Sequence, residues 1–170
     1  MAITLLVIRH AIAEDKDAFA RTGRPDGERP LTKRGRTVMA KVAKGLRREL
    51  PSLDVLAASP LVRAAQTAAI VADEYDEMSV ATVPALEPDG APQAFAAWLA
   101  AQKRARVVAV VGHEPHLGAL VTWLLSGLRS SHVEIEKSGA CLVEIRGRPG
   151  PRCATLVWSL PPSVLARLAR

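Results

Sequence analysis

The sequence is poor in most of the features that commit a chain to a specialised class. Only two of its 170 residues are cysteine, Cys141 and Cys153. Each lies in an apolar stretch that reads as a strand, so buried, inert thiols are expected in place of a disulfide framework or a zinc site. Aromatic residues make up 4%, too few to build stacking platforms for nucleic-acid bases. No apolar run approaches the roughly 18 residues of a membrane helix, and the N-terminus lacks the basic and apolar regions of a signal peptide. A cytoplasmic protein with no membrane contact is the expectation. Walker A and GxGxxG sequences are missing, and "HEPH" at 113–116 lacks the two-residue gap of HExxH. The chain is therefore expected to use no cofactor and no metal. It also has no internal repeat and no low-complexity segment.

What is present describes a compact soluble protein. Hydrophobic residues make up 49% and charged residues 24%, and the length suits a single domain, 1–170, with a sizeable core. The net charge of +6 fits nucleic acid, an acidic protein partner or an anionic small substrate. The basic residues are scattered, with no long basic run, which reads as a solvated surface, and no nucleic-acid partner is expected.

Residues 3–9 form a continuous run rich in Ile, Leu and Val, the mark of a strand buried on both faces. Residues 10–30 are polar and turn-rich and read as a long loop, a length usually associated with function. Thr32 can cap a helix running to about Leu50. "LDVLAA" at 53–58 is a second buried strand, after which Ser59 is placed as the N-cap and Pro60 as the first residue of a helix to about Tyr75. "SVATVP" at 79–84 is a third strand, followed by a helix over about 92–102. "RVVAVVGH" at 106–113 is another apolar strand, leading into a helix with Pro115 in its first turn and Gly127 near its end. "ACLVEI" and "TLVWSL" read as an antiparallel pair, and a short helix from Pro162 closes the chain. Strands alternating with helices imply an open, mostly parallel sheet covered on both faces, a three-layer α/β/α sandwich. Ligands in such sheets bind beyond the carboxyl ends of the strands.

Three of those ends carry related chemistry. The first strand ends in Arg9-His10, the second leads into Arg63, and the strand at 106–112 ends at His113. Guanidinium groups match phosphate oxygens with planar forks of donors and stay charged at any working pH. Imidazole titrates near neutrality and can form covalent intermediates. The pattern suits a dianionic phosphoryl group, with one histidine taking the group and the other donating hydrogen bonds to oxygens where charge develops. Periodicity does not say which histidine attacks.

The residues also carry a family resemblance. "RHA" at 9–11, "RPLTKRG" at 29–35, "ASPLVRAAQTA" at 58–68, "LEPDG" at 86–90, "VGHEPHLG" at 111–118 and "SGA" at 138–140 resemble, in order and spacing over nearly the whole chain, the histidine phosphatase superfamily. This superfamily is also called phosphoglycerate mutase-like, and the resemblance is to its small bacterial SixA-type phosphohistidine phosphatases. The superfamily's triad more often has Gly where this chain has Ala11.

The resemblance implies a phosphoglycerate mutase-like fold, His10 as the nucleophile, and a phosphate pocket of Arg9, Arg63 and His113. It points to Glu87 as the acid for the leaving group, with Glu14 and Asp15 as competitors. Arg29 either reaches the phosphate or anchors the "RPLT" loop. His116 is expected to pack or to sit at the rim. The span from Tyr75 to Trp98 is too short for a substantial lid, so an open site and a phosphohistidine protein substrate are expected, handled by a monomer. Small phosphate esters or nucleotides at the same site, and a non-catalytic phosphate- or nucleic-acid-binding module, are the alternatives.

Overall fold

The structure, a computed structural model, describes residues 2–169. The apolar run at the start of the chain becomes β1 (Ala2–Arg9), an interior strand of a six-stranded sheet. Its side chains from Leu5 to Ile8 have no exposed surface. Successive strand residues point to opposite faces, so an unbroken apolar run is what a strand covered on both sides requires. Leu5 and Val7 enter one core and Leu6 and Ile8 the other.

Three further strands run parallel to β1: β2 (Val55–Ala58), β3 (Val80–Thr82) and β4 (Val107–Gly112). β5 (Ala140–Arg146) pairs antiparallel with β1, and β6 (Ala154–Leu160) antiparallel with β5. The order across the sheet is β3-β2-β4-β1-β5-β6. The antiparallel pair expected at the end of the chain is therefore present, joined to the parallel part through β1.

Helices cover both faces. α2 (Lys33–Glu49), α3 (Val62–Glu74) and α6 (Pro162–Leu168) pack on one side, with Met39, Val42, Leu46, Ala68, Val71 and Leu165 in a shared core. α4 (Pro92–Ala101) and α5 (His116–Ser126) pack on the other through Phe95, Leu99, Leu120 and Leu124. The three-layer α/β/α sandwich expected from the alternation of elements is the observed architecture. Local signals set the helix ends: the Thr32 hydroxyl accepts the Gly35 N–H at 2.9 Å at the start of α2, and Gly127, at φ +80°, ends α5.

The structure corrects the sequence reading at three places. Residues 10–30 are not a plain loop, because they hold a short helix, α1 (Lys16–Ala20), and a 3-10 turn at Asp26–Glu28. Five residues show no readable periodicity, and only the Asp15 cap, accepting the Ala18 N–H at 2.8 Å, marks α1 locally. Ser59 is not the N-cap of α3, which begins at Val62 with Leu61 in the cap position. The Ser59 hydroxyl is instead taken up by His113 at 2.8 Å. Pro115 stands just before α5 and not in its first turn.

The tightest helix contact involves Gly45, where an added Cβ would run into the Leu165 carbonyl oxygen of α6. Alanine in place of glycine inside a helix gains about 1 kcal/mol of propensity, whereas overpacking costs about 1–3 kcal/mol. The obstructing atom belongs to the backbone of a neighbouring helix and cannot move as a side chain can, so the clash dominates. Gly45→Ala is expected to lower unfolding free energy by about 1–2 kcal/mol in urea titration, and unchanged or raised stability would contradict this packing.

Candidate active site

The strand order places the chemistry. β2, β4 and β1 are neighbours and all run the same way, with Arg9 opposite Gly112 and Ala58 opposite Val111. The residues that follow these strands (His10, Ser59 and His113) therefore emerge side by side at the carboxyl edge of the sheet. Backbone bonds fix the level of each: the His10 N–H donates to the Gly112 carbonyl at 3.0 Å and the Ser59 N–H to Val111 at 3.0 Å. Arg63 is added from the first turn of α3. An open depression of about 670 Å³ lies over these ends, with Arg9, His10, Arg29, Arg63 and His113 among its lining residues.

His10 is 7% exposed, and its Nδ1 lies 2.7 Å from the Ala11 carbonyl oxygen. A carbonyl can only accept, so Nδ1 carries the proton and donates it. Nε2 of the neutral ring then keeps its lone pair. Ala11 is itself fixed, because its N–H donates to Thr67 Oγ1 at 3.0 Å while that hydroxyl donates to the Arg63 carbonyl at 2.7 Å. Burial pushes the His10 pKa down to about 4, with the Arg63, Arg9 and Arg29 charges acting in the same direction and the Ala11 bond opposing. His10 is thus uncharged at neutral pH and available as a nucleophile.

The other groups supply positive charge and donors. Arg63, 5% exposed, donates through Nη1 to the Asp26 carbonyl at 3.0 Å and pairs through Nη2 with the Asp26 carboxylate at 3.2 Å. Arg9 donates through Nη1 to the Ile135 carbonyl at 2.8 Å. The Nε atoms of Arg9 and Arg63 and Nδ1 of His113 are buried with no hydrogen-bond partner among the described residues. Unpartnered buried polar atoms cost free energy, and the two arginines that line the cavity beside the neutral His10 give it the charge of an anion site. The rings of His10 and His113 lie 5.1 Å apart between centroids. The His113 pKa is lowered to about 3, by burial first and then by the neighbouring His10 and Arg63.

Arg29 lines the cavity, yet its Nε bonds Asp26 at 2.7 Å and its Nη1 the Glu14 carbonyl at 2.8 Å. Those bonds tie the 10–30 segment together. Glu87 caps the 3-10 turn Pro84–Leu86 and does not line the cavity, whose wall at that point is Pro88. Glu14 and Asp15 stand at the exposed rim, and Asp15 is engaged in capping α1. His116 bonds the Gly90 carbonyl at 2.9 Å and lines a separate small cavity.

Sequence reasoning missed Asp26, Thr67 and Glu114. Burial alone would raise the Asp26 pKa, but the Arg29 hydrogen bond and the Arg63 and Arg29 charges outweigh it and hold the carboxyl below its ordinary value. Glu114 accepts the Ile135 N–H at 2.8 Å and the Gly118 N–H at 3.2 Å, bracing the segment behind Arg9. Thr67 sits one helical turn after Arg63, a spacing that could have identified it. Asp26 gave no sequence signal, because only the folded loop brings it to Arg63.

Comparisons with known proteins fit this geometry. Residues 5–87 match the family model described as histidine phosphatase superfamily, branch 1. An uncharacterised protein of Picosynechococcus sp. is 36% identical over 138 residues, 79% of this chain and 81% of that one. Among solved structures, the protein histidine phosphatase SixA complexed with tungstate superposes with a TM-score of 0.82 at 26% identity, covering 96% of this chain and 99% of that one. The alpha-ribazole phosphatase of Shigella flexneri shares the fold, with a TM-score of 0.71 at 18% identity over 94% of this chain and 97% of that one.

The buried histidines make stability depend on pH in a definite direction. Both have folded-state pKa values below the unfolded value near 6.5, so the unfolded chain binds more protons below about pH 6.5 and stability falls as pH drops toward 4. Urea unfolding at about pH 7 and about pH 5 is expected to differ by roughly 1–2 kcal/mol for each histidine. An equal loss in the His10→Gln/His113→Gln variant would assign the effect to other groups.

Proposed function

The chain belongs to the histidine phosphatase superfamily, and from that premise we propose that it is a metal-independent phosphatase acting on protein phosphohistidine. In the first step His10 Nε2 attacks phosphorus in line. A bond forms from Nε2 to phosphorus as the bond to the leaving nitrogen breaks, and the electron pair departs on the substrate imidazole. In the second step water attacks the phosphohistidine enzyme, giving inorganic phosphate and restoring His10. Arg9, Arg63 and His113 bind the phosphoryl oxygens, where charge is concentrated. The observation that carries the reading is the bond from His10 Nδ1 to the Ala11 carbonyl, which leaves a neutral ring with Nε2 as its free lone pair beside two arginines.

The choice of a P–N substrate rests on the carboxylates. An alkoxide leaving group needs a proton from a positioned acid. Of the carboxylates that line the cavity, Asp26 is paired with Arg29 and Arg63, both Glu114 oxygens accept backbone N–H groups, Asp15 caps α1, and Glu14 stands exposed at the rim, open to solvent instead of held against the phosphoryl group. A departing imidazole takes its proton on its other ring nitrogen from solvent and makes no such demand. The rim also suits a phosphoryl group displayed on a protein: between Tyr75 and Trp98 the chain forms only the three residues of β3, a 3-10 turn and the start of α4, with no added helix to wall the cavity. Small phosphate esters or nucleotides at the same site would call on Glu87 or Glu14 for the proton.

Two outcomes follow. His10→Ala is expected to lose at least about a thousandfold in turnover, and full turnover would contradict the mechanism. In steady-state assays kcat/KM for a phosphohistidine protein is expected to exceed that for sugar and nucleotide phosphates. The reverse order, with a further loss on esters in Glu87→Gln, would assign the site to ester hydrolysis.

A further inference from the structure

His113 meets Ser59 through Nε2 at 2.8 Å, and both side chains are buried, at 2% and 1% exposure. The other ring nitrogen, Nδ1, has no partner. Which group donates follows from counting protons. A serine hydroxyl has one proton to give and lone pairs to receive. The Leu61 N–H already approaches Ser59 Oγ at 3.4 Å, and among the described residues the acceptor for the hydroxyl proton is His113 Nε2. If Nε2 carried a proton toward Oγ instead, the buried hydroxyl proton would be stranded, at a cost of about 1–3 kcal/mol. Nε2 therefore accepts, and the neutral ring holds its proton on Nδ1.

We propose that Ser59 is a positioning residue that locks His113 in the Nδ1–H tautomer, so that an uncharged imidazole presents a hydrogen-bond donor to the transferring phosphoryl oxygens. With Nε2 held by Ser59, Nδ1 is the ring nitrogen without a protein partner among the described residues, on a residue that lines the cavity. The opposite tautomer would turn a lone pair toward those oxygens and repel them. The role rests on the phosphoryl-transfer reading of the site and adds to it the residue that makes His113 a donor. It also accounts for a polar serine at a fully buried strand end, while the cap position of α3 falls to Leu61.

Long-range proton–nitrogen NMR of the ¹⁵N-labelled protein at neutral pH reads the tautomer directly. The wild-type protein is expected to show His113 protonated on Nδ1 and bare on Nε2. Ser59→Ala is expected to move the proton to Nε2 or to a mixture and to lower kcat on a phosphohistidine protein by about 10- to 100-fold, with a smaller change in KM. Ser59→Thr, which keeps a hydroxyl, is expected to retain the wild-type tautomer and most of the rate. Nε2–H in the wild-type spectrum overturns the proposal, as does a Ser59→Ala protein with unchanged tautomer and unchanged kcat. The wild-type spectrum decides even if Ser59→Ala does not fold. Wild-type protein with no turnover on any phosphoryl substrate would contradict the phosphatase reading separately, while the spectrum still decides the tautomer.

Discussion

The hydrogen bond from His10 Nδ1 to the Ala11 carbonyl, 2.7 Å long, is the contact on which the rest of the site depends. It selects the tautomer, sets the ring plane, and leaves one nitrogen free to react. Its acceptor belongs to the next residue, so the bond holds only if the backbone turn after β1 is rigid. That rigidity comes from outside the strand. Thr67 clamps the Ala11 N–H to α3, and the His10 N–H is fixed to β4. His10, the proposed nucleophile, is thus braced by a neighbouring strand and by the helix that also supplies Arg63.

Electrostatics work the same way. Burial disfavours the cationic form of both histidines, and the Arg63 charge, joined at His10 by Arg9 and Arg29, disfavours it further. Both effects keep the two imidazoles neutral, which the proposed roles of nucleophile and hydrogen-bond donor require. The arginines are partly compensated by Asp26, Glu134 and backbone carbonyls, which hold them in place without neutralising the site.

Much of this was legible in the sequence because it depends on short-range rules. Unbroken apolar runs at 3–9 and 106–112 announced doubly covered strands, and the strand–helix alternation implied that their carboxyl ends share an edge. That alone brings Arg9, His10, Arg63 and His113 to one rim. Tertiary competition for hydrogen bonds was not legible. Ser59 followed by proline carries every local mark of a helix cap, but a buried imidazole across the strand edge took the hydroxyl. Asp26 belongs to a polar segment with no periodicity and becomes a partner of Arg63 only when the 3-10 turn folds over α3. The resemblance points to Glu87 through its motif, whereas the residue that lines the cavity there is Pro88.

The central claim is that the phosphoryl group passes through His10. The direct test is rapid mixing of the protein with a phosphohistidine protein, quenching within milliseconds into alkaline denaturant that preserves P–N bonds, and peptide mass spectrometry. The account predicts a phosphoryl adduct on His10 that rises and then decays with turnover. Turnover with no adduct on His10 at any time, or an adduct on His113 instead, would contradict it.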